Sequence, residues 1–200
     1  EAKPLEEKSL ILTSSPNIAG TTSGSGSYPM GLSVAISATP STGYAFSHWS
    51  GGNFDDPNSS STEVIIHSDS NATAHFSPLT FTLEINASLG GSGTGSGTYD
   101  FGTEVSISAI PENGYHFKSW HGAGIDNPLL ETVSIFMDQD LNISLSFEVN
   151  QYTLSLSTNN SGGIVEGGGT FTHGTTASIR ALPSDGYEFL GWSGENLESN

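Results

Sequence analysis

The sequence predicts an all-β protein made of tandem small domains of about 71 residues, on three observations. The first is a recurring aromatic motif. Gly43-Tyr44-x-Phe46-x-x-Trp49-x-Gly51 returns as Gly114-Tyr115-x-Phe117-x-x-Trp120-x-Gly122 and again as Gly186-Tyr187-x-Phe189-x-x-Trp192-x-Gly194. The tyrosines fall at 44, 115 and 187, so the period is 71 and then 72 residues, the mark of a tandem array. The second is two-residue alternation of apolar and polar side chains, with no sustained helical period anywhere. The third is turn chemistry: Gly, Pro, Asn and Ser punctuate the alternating runs.

Residues 1–9 carry Glu1, Lys3, Glu6, Glu7 and Lys8 without apolar periodicity and read as a linker or tail. The second copy, 79–149, is the clearest. Phe81, Leu83 and Ile85 alternate with Thr82, Glu84 and Asn86 as a half-buried strand. The glycine-rich run 90–97 reads as turn material. Val105, Ile107 and Ala109 form the next strand, which Pro111-Glu112-Asn113-Gly114 ends in a hairpin turn into the aromatic strand. Val133, Ile135 and Met137 alternate as another strand, and Leu141, Ile143, Leu145 and Phe147 as the last. A backward shift of 71 maps these onto the first copy, 10–78, placing Leu10 and Leu12 against Phe81 and Leu83. A forward shift of 71 to 72 gives the third copy, 150–200, truncated after its aromatic motif, with the last two strands missing. That copy is expected to leave a strand edge unpaired and its core open. The joins, Ser77-Pro78-Leu79-Thr80 and Glu148-Val149-Asn150-Gln151, leave four residues between copies and little room for independent tumbling.

The rings Tyr44, Phe46, Trp49, Tyr115, Phe117, Trp120, Tyr187, Phe189 and Trp192 are the material of three cores, since each buries about 150–250 Å². Parity raises a complication. Tyr115 and Phe117 share a face, but Trp120, three residues beyond Phe117, falls on the other face of a regular strand. Either a β-bulge resets the phase, or the indole covers a second surface where a sugar ring stacks on it beside Asp and Asn.

Net charge is -17, from four Lys and Arg against 21 Asp and Glu, which opposes nucleic acid and anionic membrane surfaces. There is no cysteine, so disulfides and thiolate chemistry are excluded. No apolar run of membrane-spanning length is present, so no membrane insertion is expected, and the chain reads as a monomeric piece of a longer protein. Asn-x-Ser/Thr at Asn58, Asn71, Asn86, Asn142 and Asn159 matters only in a host that glycosylates it.

Candidate chemistry is sparse. Asp138-x-Asp140-x-Asn142 opens like a calcium loop but has Ile143 where the loop needs glycine and Val149 where it needs glutamate. Asp55, Asp56 and Asp126 add oxygen in neighbouring loops, so calcium is the one cofactor to consider, against a plain turn role for Asp and Asn. The six histidines do not recur at equivalent positions and show no metal-ligand spacing. The glycine runs contain no phosphate-loop lysine, no nucleophile elbow exists, and no carboxylate pair is set apart for glycoside hydrolysis.

The order Gly-x-Gly-x-Tyr, an alternating Val/Ile strand, Pro-x-x-Gly-Tyr-x-Phe-x-x-Trp-x-Gly and an alternating strand ending in Phe resembles the divergent internalin-B-type B repeat of bacterial surface and secreted proteins. The resemblance spans residues 10–194. It implies a small β module with a β-grasp-related sheet (a small β-sandwich being the alternative), found in tandem, extracellular and without catalytic residues. The expected function is that of a non-enzymatic spacer or stalk whose partners are neighbouring domains of its own chain. The alternative is an adhesion module that holds glycans or a cell-surface protein through the recurring Trp and the Asp/Asn loops.

Overall fold

A computed structural model of the chain describes residues 6–159 and 161–194. The described residues form strands and no helix. The first repeat comprises β1 (Glu7–Ser15), β2 (Gly20–Ser23), β3 (Gly26–Pro29), β4 (Ser33–Pro40), β5 (Tyr44–Ser50), β6 (Ser61–Ile65) and β7 (Ser70–Pro78). The second repeats the plan with β8 (Thr80–Ala87), β9 (Gly91–Thr94), β10 (Gly97–Asp100), β11 (Glu104–Pro111), β12 (Tyr115–His121), β13 (Thr132–Phe136) and β14 (Leu141–Val149).

Each of these repeats is two sheets face to face. One sheet has the order β3-β1-β7-β5 in the first repeat and β10-β8-β14-β12 in the second; the other is β2-β4-β6 or β13-β11-β9. In the larger sheet the first and last strands of the repeat lie side by side and parallel, Leu10 opposite Ser70 and Leu83 opposite Leu141, while the outer strands are antiparallel to them. This mixed order is the β-grasp type of sheet, here covered by a second sheet. The alternating side chains meet between the layers. Leu10, Leu12, Ala72, Ala74 and Phe76 of one sheet face Val34, Ile36, Ala38 and Val64 of the other. The second core is built likewise from Leu83, Ile143, Leu145, Phe147, Val105, Ile107 and Ile135.

Trp49 and Trp120 sit at the centre of these cores, 2% and 0% exposed. A β-bulge resolves their parity: the register slips between Phe46 and His48, and between Phe117 and Ser119, so that Phe and Trp end on one face with ring centroids 5.9 Å apart in both repeats. Each indole also ties down the following loop. Trp49 donates its Nε1–H to the Ser59 carbonyl (3.1 Å) and Trp120 to that of Leu130 (2.9 Å), so no buried donor is left unpaired.

Three expectations need correction. The glycine-rich run 90–97 is not simply a turn: it forms β9 and the start of β10, reversing at Gly95-Ser96. Glycine is needed there because the ring of Phe147 occupies the space a Cβ of Gly91 would take, as Phe76 does at Gly20. Glu7, Lys8 and Ser9, expected in the tail, belong to β1, where Lys8 pairs with Tyr28, while residues 1–5 of that expectation lie outside the described residues. Finally, Leu10 corresponds to Leu83 rather than to Phe81, because both face the same partner glycine, Gly26 or Gly97. The first repeat has two extra residues between this leucine and the next strand (Leu10 to Gly20 against Leu83 to Gly91), which a uniform shift cannot show.

The third repeat has β15 (Gln151–Leu154), β16 (Gly163–Glu166), β17 (Gly169–Thr172) and β18 (Arg180–Pro183), paired as β15·β17 and β16·β18. Here Tyr187 and Phe189 are exposed, Trp192 is half-buried, and 187–193 pair with no strand among the described residues.

Two outcomes follow from this packing. Trp120→Ala is expected to destabilise the second repeat by about 3–5 kcal/mol, seen as an early transition in urea while the first repeat unfolds near its wild-type midpoint. Hydrogen exchange is expected to find amides of 152–192 less protected than those of 81–149; equal protection would contradict the open core.

Candidate functional site

The indoles of the aromatic motif present no face to a sugar in the first two repeats. Trp49 and Trp120 are buried, and Tyr44, Phe46, Tyr115 and Phe117 are partly buried against the same cores. The indole therefore covers no second surface there, and the stacking role allowed by strand parity is removed by the bulge. Tyr187 and Phe189 are exposed, and Phe189 and Trp192 are in edge contact at 5.3 Å.

Some of the Asp and Asn side chains hold backbone amides. Asp56 accepts the Asn58 amide through Oδ1 (2.9 Å), an Asx turn, and Asn127 accepts the Leu129 amide (3.2 Å) in the loop that carries Asp126. The Asp55 amide donates to the Glu63 carbonyl (3.0 Å). Asp138 lies in the turn that leads to Asp140, and Asp140 accepts the Thr82 amide (2.7 Å). Asp69, its counterpart, accepts both the amide and the hydroxyl of Ser9 (2.7 and 3.0 Å). These two carboxylates clamp the start of the last strand to the first strand. Among the described residues no group of three or more His, Asp or Glu gathers where a cation would sit.

The histidines pair locally. The rings of His48 and His75 stack at 4.4 Å, and His75 Nε2 meets Ser50 Oγ at 2.8 Å. In the second repeat His121 Nε2 meets Ser119 Oγ at 2.8 Å, and Ser119 also meets Ser146 (3.0 Å). Among the described residues no carboxylate is hydrogen-bonded to either histidine of these Ser–His pairs.

What the structure builds twice is the seam between repeats. The expected four-residue joins contract to one residue outside strands: Leu79 between β7 and β8, and Asn150 between β14 and β15. Leu79 donates its amide to the Gly43 carbonyl (2.8 Å) and accepts the Phe101 amide (2.7 Å). Asn150 donates to the Gly114 carbonyl (2.8 Å) and accepts the His173 amide (2.8 Å). Each joining residue is thus held to the repeat before it and to the repeat after it. The second seam adds a contact of His116 Nδ1 with Asn150 Oδ1 at 2.8 Å. Phe101 and His173 escaped the sequence reading because the period changes from 71 to 72 before His173 and the two side chains differ. The visible signal was their place two residues after the aromatic of β10 and β17, ahead of Gly102 and Gly174.

A chain with two such repeats and the start of a third matches the divergent InlB B-repeat domain at residues 10–80, 81–151 and 152–200. The protein belongs to that family, which is associated with bacterial surface and secreted proteins and is generally non-catalytic. No curated protein matches the chain.

The clamp at Asp69 has a pH signature. Hydrogen bonds from the Ser9 amide and hydroxyl favour the carboxylate and hold it below the ordinary aspartate value of 3.8. The folded state then binds the proton less readily than the unfolded chain. The clamp's contribution is full above that ordinary value and fades as pH falls through the lower folded value. Asp69→Asn is expected to lower the denaturation midpoint of the first repeat at neutral pH and to converge with wild type in strong acid.

Proposed function

We propose that the chain is a spacer: a non-enzymatic stalk segment of a secreted or surface-held bacterial protein, with its own neighbouring domains as principal partners. The observation that carries this reading is the parallel pairing of the first and last strands of each complete repeat, fed through a one-residue seam. Parallel neighbours start at the same end of the sheet. The chain therefore enters a repeat at one end and leaves it at the other, and each repeat advances the chain by a strand length, roughly 30 Å for nine residues. Antiparallel pairing would have returned the exit to the entrance. The seam then leaves little slack for the next repeat to fold back.

The acidic surface suits such a role, because like charge keeps neighbouring stalks soluble and apart. Calcium plays no part in this reading, in which the side chains of Asp56, Asp69, Asn127 and Asp140 hold backbone amides.

Small-angle scattering of the chain is expected to show an extended particle of the same dimensions with calcium and with chelator, and an unchanged melting temperature in both. A glycan array is expected to be blank. A compact particle would sink the spacer reading, and saturable glycan binding would move the function to adhesion.

A further inference from the structure

The turn glycines of the aromatic motif have a second use. Gly43 and Gly114 are buried and left-handed, with φ of +81° and +86°. The space above each, where a Cβ would project, is filled by a ring from the next repeat: Phe101 over Gly43 and His173 over Gly114. Any larger residue would collide with that ring as well as strain the backbone. Phe101 meets Tyr44 of the preceding repeat edge-on, at 6.2 Å and 66°, and is braced from its own repeat by Phe81 at 6.5 Å and Phe136 at 6.2 Å. His173 is braced by Tyr152 of its own repeat at 6.1 Å. The same ring-on-glycine arrangement therefore recurs at both seams, although the ring changes from phenyl to imidazole.

Gly186 supplies the comparison. It has the same conformation, φ +81°, yet nothing described lies within 4 Å of where its Cβ would be. The turn hydrogen bond is also the same, Tyr187 to Ser184 (3.0 Å) as Tyr44 to Ser41 (3.1 Å) and Tyr115 to Glu112 (3.0 Å). The local turn alone thus produces the flat glycine surface, and a ring is not required to form it.

We propose that this glycine is a preformed docking platform, and that the planar side chain at the Phe101 or His173 position is the element by which one repeat fixes its angle to the repeat before it. The partner the surface takes is a flat ring, aromatic or imidazole, carried by an adjoining repeat. Flatness matters because the platform has no side chain of its own. A planar ring covers it without leaving a gap, whereas a branched aliphatic touches it at a point. The backbone hydrogen bonds of the seam locate the next repeat; the ring removes the remaining rotation about them. The proposal rests on the spacer reading for its purpose, since a fixed angle is what makes a stalk stiff.

The test uses the whole chain with spin labels at the exposed positions Thr21 and Ser92, one on each side of the first seam, and reads the inter-label distance distribution. Wild type is expected to give a narrow distribution. Gly43→Ala, which displaces the ring but leaves it intact, and Phe101→Ala, which removes it, are both expected to lose the narrow distribution. Gly186→Ala introduces the same backbone strain with no ring to displace and is expected to leave it unchanged. Amide hydrogen exchange over residues 81–149 verifies that Phe101→Ala keeps the second repeat folded; should it not, Gly43→Ala decides alone. A narrow distribution in wild type that survives in the variants overturns the docking proposal and leaves the spacer standing on its backbone seam. A broad distribution in wild type overturns both.

Discussion

The structure depends on one pairing: the last strand of each complete repeat lies parallel to the first, between it and the aromatic strand. β7 runs beside β1 and β14 beside β8, each contributing the apolar row that closes the core. This is the most non-local contact of the repeat and the costliest to form, because nearly the whole repeat must be ordered before it is made. The carboxylates of Asp69 and Asp140 bond the facing strand where the pairing begins. Without it the outer strands have no sheet to belong to. The third repeat shows that state among its described residues, with two separate two-stranded pairs, β15·β17 and β16·β18, and no large apolar side chain fully buried.

The same pairing sets the path of the chain. The chain enters each complete repeat at one end of the larger sheet and leaves it at the other, and a single residue outside strands joins it to the next repeat. The indole at the centre supports this arrangement from inside. Its bulge lets Phe46 and Trp49, or Phe117 and Trp120, share one face, and its Nε1–H fixes the loop that leads back to the second sheet. A motif that looks like a binding signature by its aromatic content is, in the first two repeats, a device for filling and tying a small core.

The fold was legible where side-chain period alone decides it. Leu83, Val105, Ile107, Ile135 and Ile143 alternate in sequence and are buried in the structure. Where a neighbour in space decides, the sequence was silent. Alternation does not distinguish a parallel partner from an antiparallel one, so the direction of the chain through the repeat was hidden. The run from Gly91 to Thr94 carries the composition of a turn but pairs as a strand, and its glycines leave room for Phe147 at Gly91 and for Ile85 and Leu145 at Gly93. The docking of Phe101 and His173 was hidden for a like reason: what is shared between them is flatness and position, and a comparison of residue types sees a difference. Asp140 is a candidate ligand by residue type and spacing, which are local, whereas the amide that meets its carboxylate comes from a strand 58 residues away, and the same clamp at Asp69 spans 60 residues.

The central claim is that the first two repeats turn through solution as one body. Backbone ¹⁵N relaxation measures this directly, by comparing the diffusion tensors fitted separately to residues 10–78 and 80–149. The account predicts a single elongated tensor, shared in magnitude and axis by both sets. Two tensors with different axes, each close to that expected for an isolated repeat, would contradict it.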